Sequence, residues 1–402
     1  MSNVTIVGGG IGGFTLASEL RKRGWDQDIV IIDPAGLPYD RPPLSKEALV
    51  GSKSLEDLLL APEQWYKDNN ITVTTGEVTR VDADQKKLIL SNGGVTDYDK
   101  LVLATGGHAR RGDTPGFDDD DIIVLRTTED ALALRESLTQ GATVGIIGAG
   151  LIGAEVASSA RSLGANVVLI DPAPISLIPA VGFELAERLH GLHEDHGVQF
   201  VNGMTTGVEK HGERFHVSVD GFDTVCVDAL LLCIGLVPDE SLADSAELEC
   251  DGGVLVDHDQ RTDNPDIWAI GDCARHKNPD GTLDRRHEHW DSAMQDAQAA
   301  AASIMGDARP QRTASWFWTD RYGHHVEGVG SMTDLGTSVV RPDAEGRPAV
   351  VFRVADDGTL RGAASIDDSM AVRAARRIID RGIVVDPAQL ADPSIPVKKL
   401  AR

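Results

Sequence analysis

Gly8, Gly10 and Gly13 stand in the spacing G-x-G-x-x-G, and Asp33 follows twenty residues after the third glycine. The first glycine permits a tight turn, the second lets backbone approach a pyrophosphate, and the third lets a helix pack close to a strand. A helix opening there presents free N–H groups and a partial positive charge to phosphate. Asp33 then suits the hydroxyls of a ribose. The same grammar returns at Gly148, Gly150 and Gly153, with Asp171 eighteen residues on. An acid in that place favours the free 2′-hydroxyl of NADH and repels the 2′-phosphate of NADPH. No Lys or Arg lies between Asp171 and Arg188 to reverse that preference. Two such pockets in one chain predict two dinucleotides, FAD and NADH, and one reaction, hydride transfer from nicotinamide C4 to flavin N5.

The surrounding pattern supplies the elements that such pockets need. Residues 4–7 (VTIV) read as a strand before the first turn, FTLASELRKRG as a helix after it, and DIVII as the next strand. Downstream, TVGII, AEVASSARSLG and NVVLI repeat strand, helix and strand about 140 residues later. Short alternating strands fill the stretch between the two units, and more follow the second. DIWAIGDCA, at residues 266–274, is an apolar strand that runs into a Gly-Asp turn, and WDSAMQDAQAAAASIMG reads as a helix. From about residue 313 a third region begins, with strands and one arginine-rich helix (SMAVRAARRIIDRG).

Bulk composition narrows the function. The net charge of −25 argues against a partner such as nucleic acid or an anionic membrane, whose phosphates need positive charge. No apolar run reaches 18 residues and no basic leader precedes the first strand, so a cytoplasmic protein is expected. The four cysteines are Cys226, Cys233, Cys250 and Cys273, with no C-x-x-C pair and no zinc-ligand spacing. No metal site is expected. His190, His193 and His196 recur at a spacing of three, and a solvated helix face is the expected reading.

These motifs, taken together, resemble the ferredoxin-reductase family that serves bacterial cytochrome P450 systems and ring-hydroxylating dioxygenases, of the putidaredoxin, rhodocoxin and biphenyl-dioxygenase types. The resemblance is carried by Tyr39–Lys46 (YDRPPLSK), Ala104-Thr105-Gly106, Leu125-Arg126-Thr127 with Asp130-Ala131, and Thr262–Ala274 (TDNPDIWAIGDCA). It continues through Glu288, Trp290 and Ala293 to Ser315–Tyr322 (SWFWTDRY), and so spans nearly the whole chain. It implies an α/β fold with two Rossmann-like dinucleotide-binding domains, glutathione-reductase-like, plus a C-terminal α+β domain. The expected boundaries are 1–112 with 240–311 for a discontinuous FAD domain, 113–239 for the NAD domain, and 312–402 for the C-terminal domain.

The resemblance also implies roles. Gly12 and the first glycine turn would hold the FAD pyrophosphate, Asp33 the adenosine ribose, and Val78 the adenine. Ala104-Thr105-Gly106, Arg41, Arg126, Asp272 and Trp290 would complete the FAD site, with Asp272 on the ribityl hydroxyls. Lys46 would stand near the isoalloxazine and pair with Glu155, a cation that favours anionic reduced flavin and a carboxylate that limits its charge. Ile152 and Gly235 would join the second turn around NADH. The implied partner is a [2Fe–2S] ferredoxin that feeds a cytochrome P450 or a Rieske-type oxygenase, and the expected state is a monomer or weak homodimer. Departures from the family pattern fall at Ala109-Arg110, Asp239, His289, Ser315 and Arg321.

Two other readings bear on the same residues. A flavoprotein oxidase or reductase with a small-molecule acceptor shares the two pockets, but its thiol relays place cysteine where Arg41–Lys46 stand here, and the earliest cysteine is Cys226. A signalling protein of the apoptosis-inducing-factor type would need a basic DNA-binding surface that the composition lacks. For an acidic ferredoxin, an acidic reductase needs a local basic patch. Arg373, Arg376, Arg377 and Arg381 on one helix, with Arg309, Arg312 and Arg321, are the expected candidates, and Trp316 and Trp318 are candidates for the electron exit route.

Overall fold

The computed structural model describes residues 3–402, which fall into two compact units. The first comprises residues 3–41, Leu55–His108 and Leu236–Arg312, and the second Pro42–Ser54, Ala109–Gly235 and Thr313–Arg402.

In the first unit five parallel strands make the central sheet, in the order Ile267–Ala269, Lys100–Leu103, Val4–Val7, Ile29–Asp33 and Ile71–Thr75. The inner runs VTIV, IVIID and KLVL are mostly apolar because both faces are covered, whereas the edge strand Ile71–Thr75 (ITVTT) is not. Val4, Ile6, Ile29, Ile31 and Val102 pack on Leu16 and Leu20 of the helix Ile11–Lys22 and on Ala297, Ala300 and Ile304 of the helix Trp290–Met305. Their sequence neighbours Val7, Ile32, Leu101 and Leu103 turn the other way, onto Val81 and Leu88 of a three-stranded antiparallel sheet. Each fully buried aliphatic side chain contributes about 1.5–3 kcal/mol. The alternation thus fixes which face of each strand meets the helices and which meets the antiparallel sheet.

The second unit holds two large sheets. One is parallel, in the order Gln199–Asn202, Asn166–Asp171, Thr143–Ile147 and Ala229–Leu232. The helix Leu151–Ser162 packs with this sheet and buries Ala154, Val156, Ala157 and Ala160. The other is antiparallel and five-stranded, in the order Trp316–Arg321, His324–Gly330, Leu360–Ile366, Pro348–Val354 and Thr337–Pro342. The helix Ser369–Asp380 covers it with Ala371, Val372, Ala375 and Ile378, its start capped by Asp368, which accepts from the Ala371 N–H. Leu185 and Leu189 of the helix Phe183–Asp195 join Val326, Val351 and Ala364 of this second sheet in one cluster.

That cluster corrects two sequence expectations. The histidine spacing does not mark a solvated face. His193 is 1% exposed, and its Nδ1 lies 2.8 Å from the Tyr322 hydroxyl. His196 stacks on the Tyr322 ring and His190 packs edge-on against Phe200. The turn at Tyr322 covers the helix, and burial pulls the His193 imidazole down to about 3, so it is neutral. Arg321 is not a surface cation either. It is 2% exposed, donates to Thr319 Oγ1, and burial lowers it to about 10. Among the described residues no helix is long and apolar enough to cross a membrane.

Candidate active site

The strand Val4–Val7 ends at Gly8, whose φ of +111° suits only glycine. A Cβ on Gly8 would stand 2.2 Å from the Ala104 carbonyl oxygen, so the Ala104-Thr105-Gly106 turn lies flush against it. A Cβ on Gly13 would meet the Gly8 oxygen at 2.0 Å, which brings the helix Ile11–Lys22 tight onto the strand. At Gly12 the space is ordinary, with Ile270 at 3.5 Å. Gly10 caps the helix without a side-chain bond, and no acid occupies the first turn, so its N–H groups remain open to an anion. Asp33, 7% exposed, braces the turn, with Oδ2 accepting from Gly9 N at 2.6 Å and Oδ1 from Ala35 N at 2.8 Å.

Arg41 completes the cradle. Its Nη1 lies 2.5 Å from where a Cβ on Gly10 would sit, and its buried Nε has no protein partner. An unsatisfied guanidinium beside open helix N–H groups fits a pyrophosphate. The Trp290 indole donates to Asp40 Oδ1 at 2.9 Å. Asp272 lies in the short turn Gly271–Cys273, held by Arg286 on its carbonyl and by Asp296, which accepts from Gly271 N at 3.1 Å and from Arg312. Asp296 was not singled out by sequence, and Arg312, expected in a basic docking patch, pairs with it. Val78 is packed into the core with Val7 and Ile32. Cys273 is fully buried, its thiol at 3.3 Å from the Ile270 oxygen.

The second turn repeats this geometry. Gly148 has φ +101°, a Cβ on it would stand 2.3 Å from the Cys233 oxygen, and a Cβ on Gly153 would meet the Gly148 oxygen at 1.9 Å. Asp171 Oδ2 accepts from Ala149 N at 2.7 Å, and Oδ1 from Ala173 N at 2.8 Å. Nothing lies within 4 Å of a Cβ on Gly150, and the neighbouring Ile152 is 47% exposed. The turn is therefore an open cradle with an apolar side chain at its lip, which fits a dinucleotide laid over it. Gly235, φ +108°, accepts from Arg110 N at 2.9 Å. Arg126 sits at the entry of the helix Thr128–Ser137, where Thr127 and Asp130 form a capping box. The Leu125–Ala131 string thus has a structural job of its own.

Lys46 and Glu155 come together in the second unit, with Lys46 Nζ 3.6 Å from Glu155 Oε1. Its nearer partner is Asp320, at 2.9 Å, a residue not singled out by sequence. Glu155, 6% exposed, is held by Ser45 Oγ at 2.5 Å on one oxygen and by Thr319 Oγ1 at 2.6 Å and Asp320 N at 3.2 Å on the other. Burial alone would pull Lys46 down, but the Glu155 and Asp320 carboxylates outweigh it and hold the ammonium above its ordinary range. The Lys46 nitrogen also lies 5.4 Å from the Trp318 ring centre, and Trp318 stacks on Trp316 at 5.0 Å. The Lys46–Glu155 pair was expected from the resemblance, which also ran through SWFWTDRY but gave its aspartate no role.

The chain matches the pyridine nucleotide-disulphide oxidoreductase family over residues 2–297 and the reductase C-terminal family over residues 316–401. It is 34% identical to the ferredoxin–NAD(+) reductase subunit of the benzene 1,2-dioxygenase system of Pseudomonas putida, across 100% of this chain and 98% of that protein. Rhodocoxin reductase of Rhodococcus erythropolis is 32% identical, over 98% of this chain and 93% of that protein. Among solved structures, the covalent putidaredoxin reductase–putidaredoxin complex matches with a TM-score of 0.91 and 30% identity, covering 99% of this chain and 98% of that one. With two braced glycine turns ahead of a C-terminal reductase domain, the chain belongs to the pyridine nucleotide-disulphide oxidoreductase family, among its ferredoxin–NAD(+) reductases.

Proposed function

We propose that this enzyme takes hydride from NADH onto bound FAD and delivers electrons to a [2Fe–2S] ferredoxin serving a cytochrome P450 or a Rieske-type dioxygenase. The observation that carries the reading is the duplicate cradle, one glycine turn braced by Asp33 and a second braced by Asp171. In the first, Gly8 to Gly13, Asp33, Arg41, Ala104–Gly106, Asp272 and Trp290 bind FAD, with Val78 and Arg126 completing the site. In the second, Gly148 to Gly153, Asp171 and Gly235 bind NADH. FAD supplies the conversion of a two-electron donor into one-electron steps. The chain's share is to bind, orient and exclude water, and Lys46 holds its proton and positive charge beside the flavin under the control of Glu155. FAD is assigned to 1–112 with 240–311, NADH to 113–239, and partner docking to 312–402, in a cytoplasmic monomer or weak homodimer.

A thiol relay to a small-molecule acceptor is disfavoured by the cysteines themselves. Burial pushes the Cys233 thiol up to about 12, and Cys273 is raised by burial as well, so neither is a ready nucleophile. The test of the main reading is anaerobic. NADH bleaches the yellow protein faster than NADPH does, and cytochrome c reduction then requires added ferredoxin. Cytochrome c reduction at full rate without ferredoxin would favour the small-molecule reading.

Docking is expected at the helix Ser369–Asp380 and what packs on it. Residues 369–402 carry seven Lys and Arg against three Asp in a chain of net charge −25. Arg373, Arg377, Arg381, Lys398 and Lys399 are exposed. Opposite charge steers encounter and is screened beyond about 10 Å at 0.1 M salt. The double variant Arg373→Glu with Arg377→Glu is therefore expected to slow ferredoxin reduction roughly tenfold at low ionic strength. The deficit closes at high salt, and ferricyanide reduction by NADH is unchanged. Equal ferredoxin kinetics at low salt would remove this face from the docking site.

A further inference from the structure

The hairpin that carries Asp320 extends the lysine's charge network by two residues that neither nucleotide cradle uses. In the register of Trp316–Arg321 against His324–Gly330, Asp320 pairs with His325 and Trp318 with Glu327. Alternation puts Trp316, Trp318 and Asp320 on one face with His325 and Glu327. His325 Nδ1 lies 2.5 Å from Asp320 Oδ1, and its Nε2 lies 2.9 Å from Glu327 Oε1. Asp320 Oδ2 in turn meets Lys46 Nζ at 2.9 Å, and Glu327 Oε2 accepts from the Trp316 indole at 3.1 Å. We infer that His325 is a positioning residue for Lys46, an imidazolium shared by Asp320 and Glu327 that locks the Asp320 carboxylate onto the lysine ammonium. The inference rests on the reading of Lys46 as the flavin-side cation, and it names what regulates that cation.

The argument starts from valence. Both ring nitrogens face carboxylate oxygens, and only a doubly protonated ring donates to both. A neutral ring would turn a lone pair toward one of the two carboxylates. Charge balance points the same way. Lys46, Arg321 and protonated His325 match Glu155, Asp320 and Glu327 one for one, and losing the imidazolium proton leaves an excess of negative charge that includes the buried Glu327. Burial alone would lower His325, but the bonds to Asp320 and Glu327 outweigh it and raise it above its ordinary range. His325 and Lys46 together pull Asp320 the other way, against its own desolvation. Of the remaining charged groups nearby, Glu47 faces Lys46, while Asp367 takes the His325 backbone N–H and pairs with His324.

The two carboxylates are not equivalent when the proton leaves. The Glu327 side chain is 4% exposed and keeps the Trp316 indole as donor, whereas that of Asp320 is 41% exposed and can turn to water. The remaining proton therefore stays on Nε2, facing Glu327, and Asp320 is the group released. Lys46 is then left with Glu155 at 3.6 Å. Order at the lysine is thus present below the His325 midpoint and is lost as pH rises through it.

The experiment has two arms on the FAD-loaded protein. Histidine proton–carbon NMR, with the His325 signal assigned by its loss in His325→Gln, should give a midpoint above the ordinary value of about 6.5. That midpoint should fall back toward the ordinary value in Asp320→Asn. Stopped-flow reduction of the flavin by NADH should show a several-fold fall on the alkaline side with the same midpoint. The fall should vanish in His325→Gln and flatten at the acid-limb rate in His325→Lys, whose ammonium does not titrate there. A His325 midpoint at or below 6.5 overturns the inference, and so does a pH–rate profile that His325→Gln leaves unchanged. Failure of the underlying reading would look different, as a Lys46→Gln protein whose flavin spectrum and reduction rate match the parent's.

Discussion

Gly153→Ala is expected to cut the stability of the second unit by more than about 3 kcal/mol, whereas Gly150→Ala should leave it folded and raise the KM for NADH about tenfold or more. The two glycines belong to one motif, but their surroundings differ. At Gly153 a methyl would stand 1.9 Å from the Gly148 oxygen. Relief requires prying the helix Leu151–Ser162 off the strand Thr143–Ile147, and with it the packing of Ala154, Val156, Ala157 and Ala160. Overpacking of a well-filled core costs about 1–3 kcal/mol, and the backbone clash here adds to that. At Gly150 a methyl meets nothing within 4 Å, and the backbone, at φ −68° and ψ −164°, accepts alanine without strain. The only thing such a methyl can exclude is what lies over the turn. Thermal melting of both variants beside NADH titration separates the effects. An unchanged KM in a folded Gly150→Ala protein would mean that the pyrophosphate does not cross that turn.

The same contrast explains what could be read from the sequence and what could not. The glycine spacing, the strand before it and the acid at the end of the next strand are local features, set within about thirty residues, and each cradle stands where they placed it. The inner and outer faces of Trp316–Arg321 were harder, because aromatic residues occupy both. Phe317, Thr319 and Arg321 point inward and Trp316, Trp318 and Asp320 share the other face, so Arg321 could be mistaken for a surface cation. His193 failed for a different reason. A spacing of three residues says that side chains share a helix face, but the residue that covers this face is Tyr322, 129 positions later. Asp320, His325 and Glu327 were silent for that reason too, since Asp320 meets Glu155 from 165 residues away and only strand register brings His325 and Glu327 to Asp320.

That long reach makes Glu155 the point at which the cluster is most easily broken. Its carboxylate accepts from Ser45, Thr319 and the Asp320 backbone, lies beside Lys46, and opposes the buried Arg321 guanidinium. Glu155→Ala strands all of these at once, and removing one partner of a buried charge pair costs about 3–5 kcal/mol. For a unit of this size that is expected to lower the melting midpoint by roughly 10 °C. Glu155→Gln separates charge from hydrogen bonding. The amide oxygen still accepts from Thr319 and Asp320 N, the amide nitrogen can donate to Ser45, and only the negative charge is gone. Its cost should be smaller, about 1–2 kcal/mol. Lys46, held high by Glu155 and Asp320, then titrates lower, and the alkaline limb set by its own deprotonation, which lies above the one set by His325, moves to lower pH. Melting curves and pH–rate profiles of the two variants therefore diverge, Ala mainly in stability and Gln mainly in the profile. If Glu155→Gln loses as much stability as Glu155→Ala with no move in the alkaline limb, the carboxylate's charge is irrelevant to the lysine and the pairing is packing alone.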